Sequence, residues 1–265
     1  MFYGSGFLFD DKSSLDYDLR ILNFETGGLR DSPAGSESTI YQKWIYRKSK
    51  AYFYGRSQNI PLEFDLTIGS ESAISGDMRN IIEDWLLGKN EYLPLQIAQD
   101  DIDGVIFNVI FTKSSAKYVG NLNYAFTLHA ECDAPWGFSY PQTLVKSYPP
   151  DEIANETFDF YNESADSDYL YPELSFTTSG VGTSFALTNL TDDSTRIFSF
   201  TGISAGETIT IDCDKQIIAS STGLLRMPNF SRKFFRLLQK NNSLNIVGGI
   251  TEFIMTYSFA KKVGG

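Results

Sequence analysis

One histidine, two cysteines and no long apolar run bound what this 265-residue chain can do. A Ser-His-Asp or Cys-His system would have to be built on His129. That residue lies inside an alternating strand with no nucleophile motif beside it, and reads as a surface or satisfied interior histidine. A zinc site of His and Cys type is equally short of ligands. Cys132 and Cys213 stand far apart and read as two buried thiols rather than a disulfide. No apolar run approaches a membrane span. The opening MFYGSGFLFDDK lacks a basic segment and a long apolar core, so no signal peptide is expected, and the expectation is a soluble protein made in a cytoplasm. The basic excess of a duplex-binding protein is also missing: net charge is −11 and the pI about 4.6. Stable nucleic-acid binding is therefore not expected, although acidity suits a surface past which DNA slides.

The chemical motifs are missing too. No GxGxxG after a strand, no Walker loop and no HExxH occurs. Asp100-Asp101-Ile102-Asp103-Gly104 fails the EF-hand spacing and reads as a solvated acidic turn. Asp166/Asp168, Asp192/Asp193 and Asp212/Asp214 lie in turns or at strand ends, in no glycosidase pattern. The expectation is no enzyme, no catalytic residue, no metal and no cofactor.

What the chain does have is aromatic residues, 15% of the total with 21 Phe and 15 Tyr. That composition suits pleated, half-buried surfaces, and the length suffices for two cores. Leu122–Tyr140 organises the chain. Leu122, Tyr124, Phe126, Leu128 and Ala130 alternate with polar neighbours as a strand, which Asp133–Pro135 ends. The Pro-, acid- and Ser-rich stretch Ser139–Asp168 follows, giving expected domains 1–140 and 141–265. In the first, strands are expected over 2–9, 17–24, 60–68, 93–98 and 105–111, with a loop over Thr26–Ser38. One helix is expected over Gly76–Leu87. There Met78, Ile81, Ile82, Trp85 and Leu86 form the core-facing series, Asp77 is the cap and Gly88 the stop. In the second, short strands are expected over 174–177, 185–189, 196–200, 208–213, 216–219, 234–238, 243–247 and 251–259, spaced as in a β-sandwich.

Thr39–Arg56, TIYQKWIYRKSKAYFYGR, is aromatic and locally basic in an acidic chain. It reads as two strands turning around Arg47–Lys50. Two readings stand side by side: a core hairpin whose cations face water, or an arm that pairs with a neighbouring subunit. In the second, Tyr41, Trp44, Tyr46, Tyr52 and Tyr54 are anchors, and Lys43, Arg47 and Arg56 meet acidic surfaces.

Three stretches are similar to the distal tail proteins (Dit) of long-tailed phages infecting Gram-positive bacteria. They are MFYGSGFLFDDKSS at the start, FTLHAECDAPWGFS at Phe126–Ser139, and Tyr171–Leu174 with TNLTDDSTRIFSFTGISAGETITIDCDKQII at Thr188–Ile218. The MPNFSRKFFRL region and Asn241–Val247 extend the third. The resemblance implies a mainly β protein: an N-terminal β-sandwich with one helix and a projecting hairpin, the belt, then a C-terminal galectin-like β-sandwich. It implies a structural hub at the tail tip of the virion, assembled in the host cytoplasm, in which six copies close head to tail around a channel for DNA. The implied partners are further copies of the chain, the major tail-tube protein, the tail-associated tip protein and, in some phages, a receptor-binding protein, with no membrane. Unpaired Cys132 and Cys213 fit such assembly. The second half lacks the His/Asn-Pro-Arg/Trp-Gly pattern of sugar-binding galectins, so a galectin-like fold would not by itself imply sugar binding. The rival reading from composition is a carbohydrate-binding adhesin of two β-sandwiches.

Overall fold

The computed structural model describes residues 4–22, 39–57 and 61–262, with the backbone alone at 56–57. The expected loop Thr26–Ser38 lies outside the described residues, as do Phe2, Tyr3, Asn23, Phe24 and Ile60. The chain divides into two compact units, Met1–Ser139 with Lys261–Gly265, and Tyr140–Ala260.

The first unit is built on one antiparallel sheet. Its order runs Lys12–Ser13, Phe7–Phe9, Leu93–Ile97, Val105–Val119, Leu122–Cys132, Glu63–Gly69, Arg20–Ile21. The resemblance implied a β-sandwich with one helix here; the strands pair in this order, and the helix Gly76–Leu87 packs its buried side against the sheet's apolar cluster. Alternation decides which face it covers. Phe64, Leu66 and Ile68 share a buried cluster with Phe126, Leu128, Ala130, Phe107, Val109 and Phe111. Trp85 joins them, stacked on Phe7 at 5.8 Å, with its Nε1 donating to the Phe9 carbonyl at 3.2 Å. Burying each such side chain contributes about 1.5–3 kcal/mol. The helix starts where Ser75 Oγ accepts from the Met78 N–H at 3.2 Å, so Ser75 is the cap and not Asp77. It stops at Gly88, where a Cβ would stand 2.5 Å from the Asp84 carbonyl oxygen.

Three expectations in this unit need correcting. Tyr17 belongs to a short 3-10 helix, Ser14–Tyr17, capped by Ser13, and only Arg20–Ile21 continues as strand. The strand expected to end at Phe111 runs on to Val119. Its second part, KSSAKYV, carries polar residues because one face is open. Met78 and Ile81 are 36% and 50% exposed, outside the core they were assigned to.

The second unit is a β-sandwich. One sheet has the order Gln142–Ser147, Ile250–Tyr257, Glu173–Thr178, Thr208–Asp212, Ile217–Ser220. The other runs Ala154–Asn162, Lys240–Gly248, Ser184–Asn189, Ile197–Thr201. Phenylalanines fill the space between them, with Phe176 stacked on Phe185 at 4.1 Å and Phe253 6.0 Å from Phe185. Gln142–Ser147 and Ala154–Asn162 fall in the stretch expected to lack strands. Both are edge strands, and in the second an inward-side position holds Glu156. Lys146 Nζ donates to that carboxylate at 2.6 Å and Tyr148 Oη at 2.8 Å, which holds it below the usual carboxylate range. Residues 234–238 form a single bridge at Leu237 in place of the expected strand. Cys132 and Cys213 are free and buried, and burial pushes both thiols up to about 12.

One buried ion pair fixes a loop of this sandwich. Arg226 donates from Nε to Glu207 Oε1 at 2.7 Å and from Nη2 to Oε2. Ser220 Oγ and the Ser204 N–H also donate to that carboxylate, at 2.6 and 3.1 Å. Arg226 foremost holds Glu207 down at about 2. Every oxygen is satisfied, which is what makes burial of the charges tolerable.

Candidate functional site, a projecting hairpin

Thr39–Trp44 and Ala51–Ser57 pair with each other and with no other described strand. The Lys48 N–H donates to the Ile45 carbonyl at 3.0 Å and closes the turn, with Arg47 in the left-handed region at φ 62°. A bulge at Tyr54 shifts the register between Tyr41↔Gly55 and Gln42↔Phe53. Opposed residues of an antiparallel pair share a face. Tyr41, Lys43 and Tyr52 therefore point one way, and Ile40, Trp44 and Phe53 the other. Tyr54 swings to within 6.5 Å of Tyr41, ring to ring. At the tip the Arg47 guanidinium sits over the Tyr46 ring, 5.3 Å from its centroid.

Both faces meet solvent. Trp44 is 63% exposed, Tyr46 85%, Phe53 65% and Tyr54 69%. Seven of the eight residues assigned to the arm, all but Arg56, have described side chains in this one ribbon. The Arg56 backbone pairs with Ile40, and its side chain lies outside the described residues. Phe53, absent from that set, belongs with Trp44. The signal that finds it is its register opposite Gln42. An isolated two-stranded ribbon is marginal in water, and contiguous exposed apolar surface of this kind marks an interaction site.

The other sites considered hold less. His129 lies on the open face of the first sheet, with Nδ1 2.8 Å from Asp65 Oδ1 and Nε2 3.8 Å from Glu63 Oε2. Only the Asp65 contact is short enough for a hydrogen bond. Around it is a shallow groove of about 300 Å³ lined by Asp65, Lys113, Ser115, Thr127 and His129. In the second unit Tyr169 and Tyr171 are 38% and 39% exposed. The Arg236 guanidinium lies 3.8 Å from the Tyr169 ring centroid and pairs with Asp192, so one face of that ring is occupied. No group of three or more potential metal ligands forms among the described residues.

Two family models cover nearly all of the chain: a phage tail protein N-terminal domain over residues 2–134 and a phage tail C-terminal domain over 136–257. The chain is a phage tail protein. Curated proteins give no match. Among solved structures, this tail protein is similar to the Dit protein of phage SPP1 (gp 19.1), described as a paradigm of the hub adsorption apparatus in phages infecting Gram-positive bacteria. The TM-score is 0.66 at 14% identity, over 96% of this chain and 98% of that one. A chain of the phage P2 baseplate in its calcium-activated conformation gives 0.62 at 11% identity, over 98% and 99%. The strontium-activated baseplate gives 0.61, also at 11%, over 98% of each chain. At those identities the likeness shows the fold, and the fold of this tail protein is that of Dit.

Proposed function

We propose that this tail protein is the hub of a phage tail tip, in which six copies close head to tail into a ring. The ring joins the tail tube to the tail-associated tip protein and leaves a passage for DNA. Its role is architectural and not enzymatic. The observation that carries this reading is the free-standing Thr39–Ser57 hairpin, with aromatic side chains open on both faces. A heterologous ring needs an arm unlike the surface it grips, and buried aromatics with flanking cations are the usual anchors of such contacts. The open sheet face around His129 suits the passage wall. It is largely polar and sets three carboxylates, Glu63, Asp65 and Glu131, against Lys113 and His129. The test is imaging of assembled tails by electron cryomicroscopy. A six-fold ring with the hairpins bridging adjacent copies is expected. A ring in which the hairpins contact no other copy would overturn the arm, and a solitary copy at the tip would overturn the hub.

A further inference from the structure

The helix leaves part of its own apolar series uncovered. Ile82, Trp85 and Leu86 are buried, while Met78 and Ile81 face solvent. Nearby, the tip of the long hairpin made by Val105–Val119 and Leu122–Cys132 carries Tyr118, Val119 and Leu122, exposed by 53%, 71% and 48%. Arg79 ties the two elements together. Its Nη1 donates to Tyr118 Oη at 3.0 Å and its Nε to Glu83 Oε1 at 2.9 Å. Exposed Glu71, Asp77 and Asp84 lie on and just before the helix.

We infer that this surface, the outer side of the helix with the adjoining hairpin tip, receives the Thr39–Ser57 hairpin of a second copy. The inference rests on the ring reading above and names the surface the arm grips. Three observations support it. The hairpin pairs with no other described strand, and its Trp44 and Phe53 are mostly exposed. A head-to-tail contact requires a second, unlike surface, and here is one with large exposed apolar groups to seat Trp44 and Phe53. Charge gives the third. The hairpin has Lys43, Arg47, Lys48, Lys50 and Arg56 and no carboxylate, whereas Glu71–Asp84 has four carboxylates against Arg79 alone. Opposite potentials of this kind fix partner and orientation. The face around His129 has the carboxylates without the apolar groups, and so lacks seats for the anchors.

The test places the photocrosslinker p-benzoylphenylalanine at Tyr46 in phage tails assembled from the full-length chain, with crosslinked segments identified by mass spectrometry. Crosslinks to residues 71–84 or 118–122 of another copy are expected. In an Ile81→Lys/Val119→Lys background the yield should fall at least tenfold, with an unchanged melting temperature because both positions are exposed. Crosslinks to Glu63–Gly69 or Thr127–Glu131 of another copy, or an undiminished yield in the double variant, would overturn the receiving surface and leave the arm standing. Crosslinks to other tail proteins alone, or to nothing, would overturn both.

Discussion

The Thr39–Ser57 hairpin and the core strands of the second unit draw on the same residue types and use them in opposite ways. Phe176, Phe185, Phe198, Phe200 and Phe253 are at most 1% exposed, closed between two sheets. Trp44, Tyr46, Phe53 and Tyr54 stand more than 60% exposed on a ribbon that pairs with no other described strand. Aromatic content alone thus says that a segment is β, and the partner sheet decides whether it is core.

The largest effect should come from the closed side of that comparison. Phe185→Ala empties the centre of the sandwich and should cost about 3–5 kcal/mol of second-unit stability in urea unfolding. Phe53→Ala should cost less than about 0.5 kcal/mol in the same measurement, as for an exposed site. Equal losses would erase the distinction between the two regions. Next comes the ion pair. Arg226→Met leaves the Glu207 carboxylate buried without its main partner and should cost about 3 kcal/mol.

Acid should act on the same carboxylate. Glu207 is held at about 2 against an ordinary value of 4.5, so its folded pKa is depressed. The resulting stability is present above about pH 4.5 and is lost as pH falls toward 2. Glu207→Gln should flatten that part of the melting-temperature profile. An unaltered slope would place the acid sensitivity elsewhere.

Smaller effects probe the open side. Trp44→Ala or Tyr52→Ala should weaken ring formation by about 2 kcal/mol, read as a shifted concentration dependence in light scattering, with thermal stability unchanged. Unfolding of the first unit would instead show these side chains to be core. Ser75→Ala removes the helix cap and should cost about 1 kcal/mol. Asp77→Ala should cost less, and the reverse order would return the cap to Asp77.

Much of this was legible in the sequence wherever one physical rule acted alone. Period-two alternation marked Glu63–Gly69 and Leu122–Cys132, and the helix followed from its spacing together with Gly88. The misreadings occur where a second requirement interferes. Glu156 occupies an inward-side position because Lys146 and Tyr148 satisfy it, so its strand does not read as apolar alternation. Lys113 and Ser115 sit on an open sheet face, and the strand through them looked finished at Phe111. Met78 and Ile81 have core spacing because an apolar series records burial without saying whose surface provides it. The hairpin left two readings open for the same reason, since aromatic alternation is shared by cores and interfaces. Its isolation from every other described strand is what favours the arm in the proposal above.

The most direct test of the arm is negative-stain electron microscopy with light scattering on the purified chain and on a Trp44→Ala/Tyr52→Ala variant, over a concentration series. The wild type is expected to form six-fold rings with a central hole and a mass of six times 29.7 kDa. The variant should remain folded, with the same melting temperature, and stay monomeric over that range. Rings that persist unweakened in the variant would contradict the account.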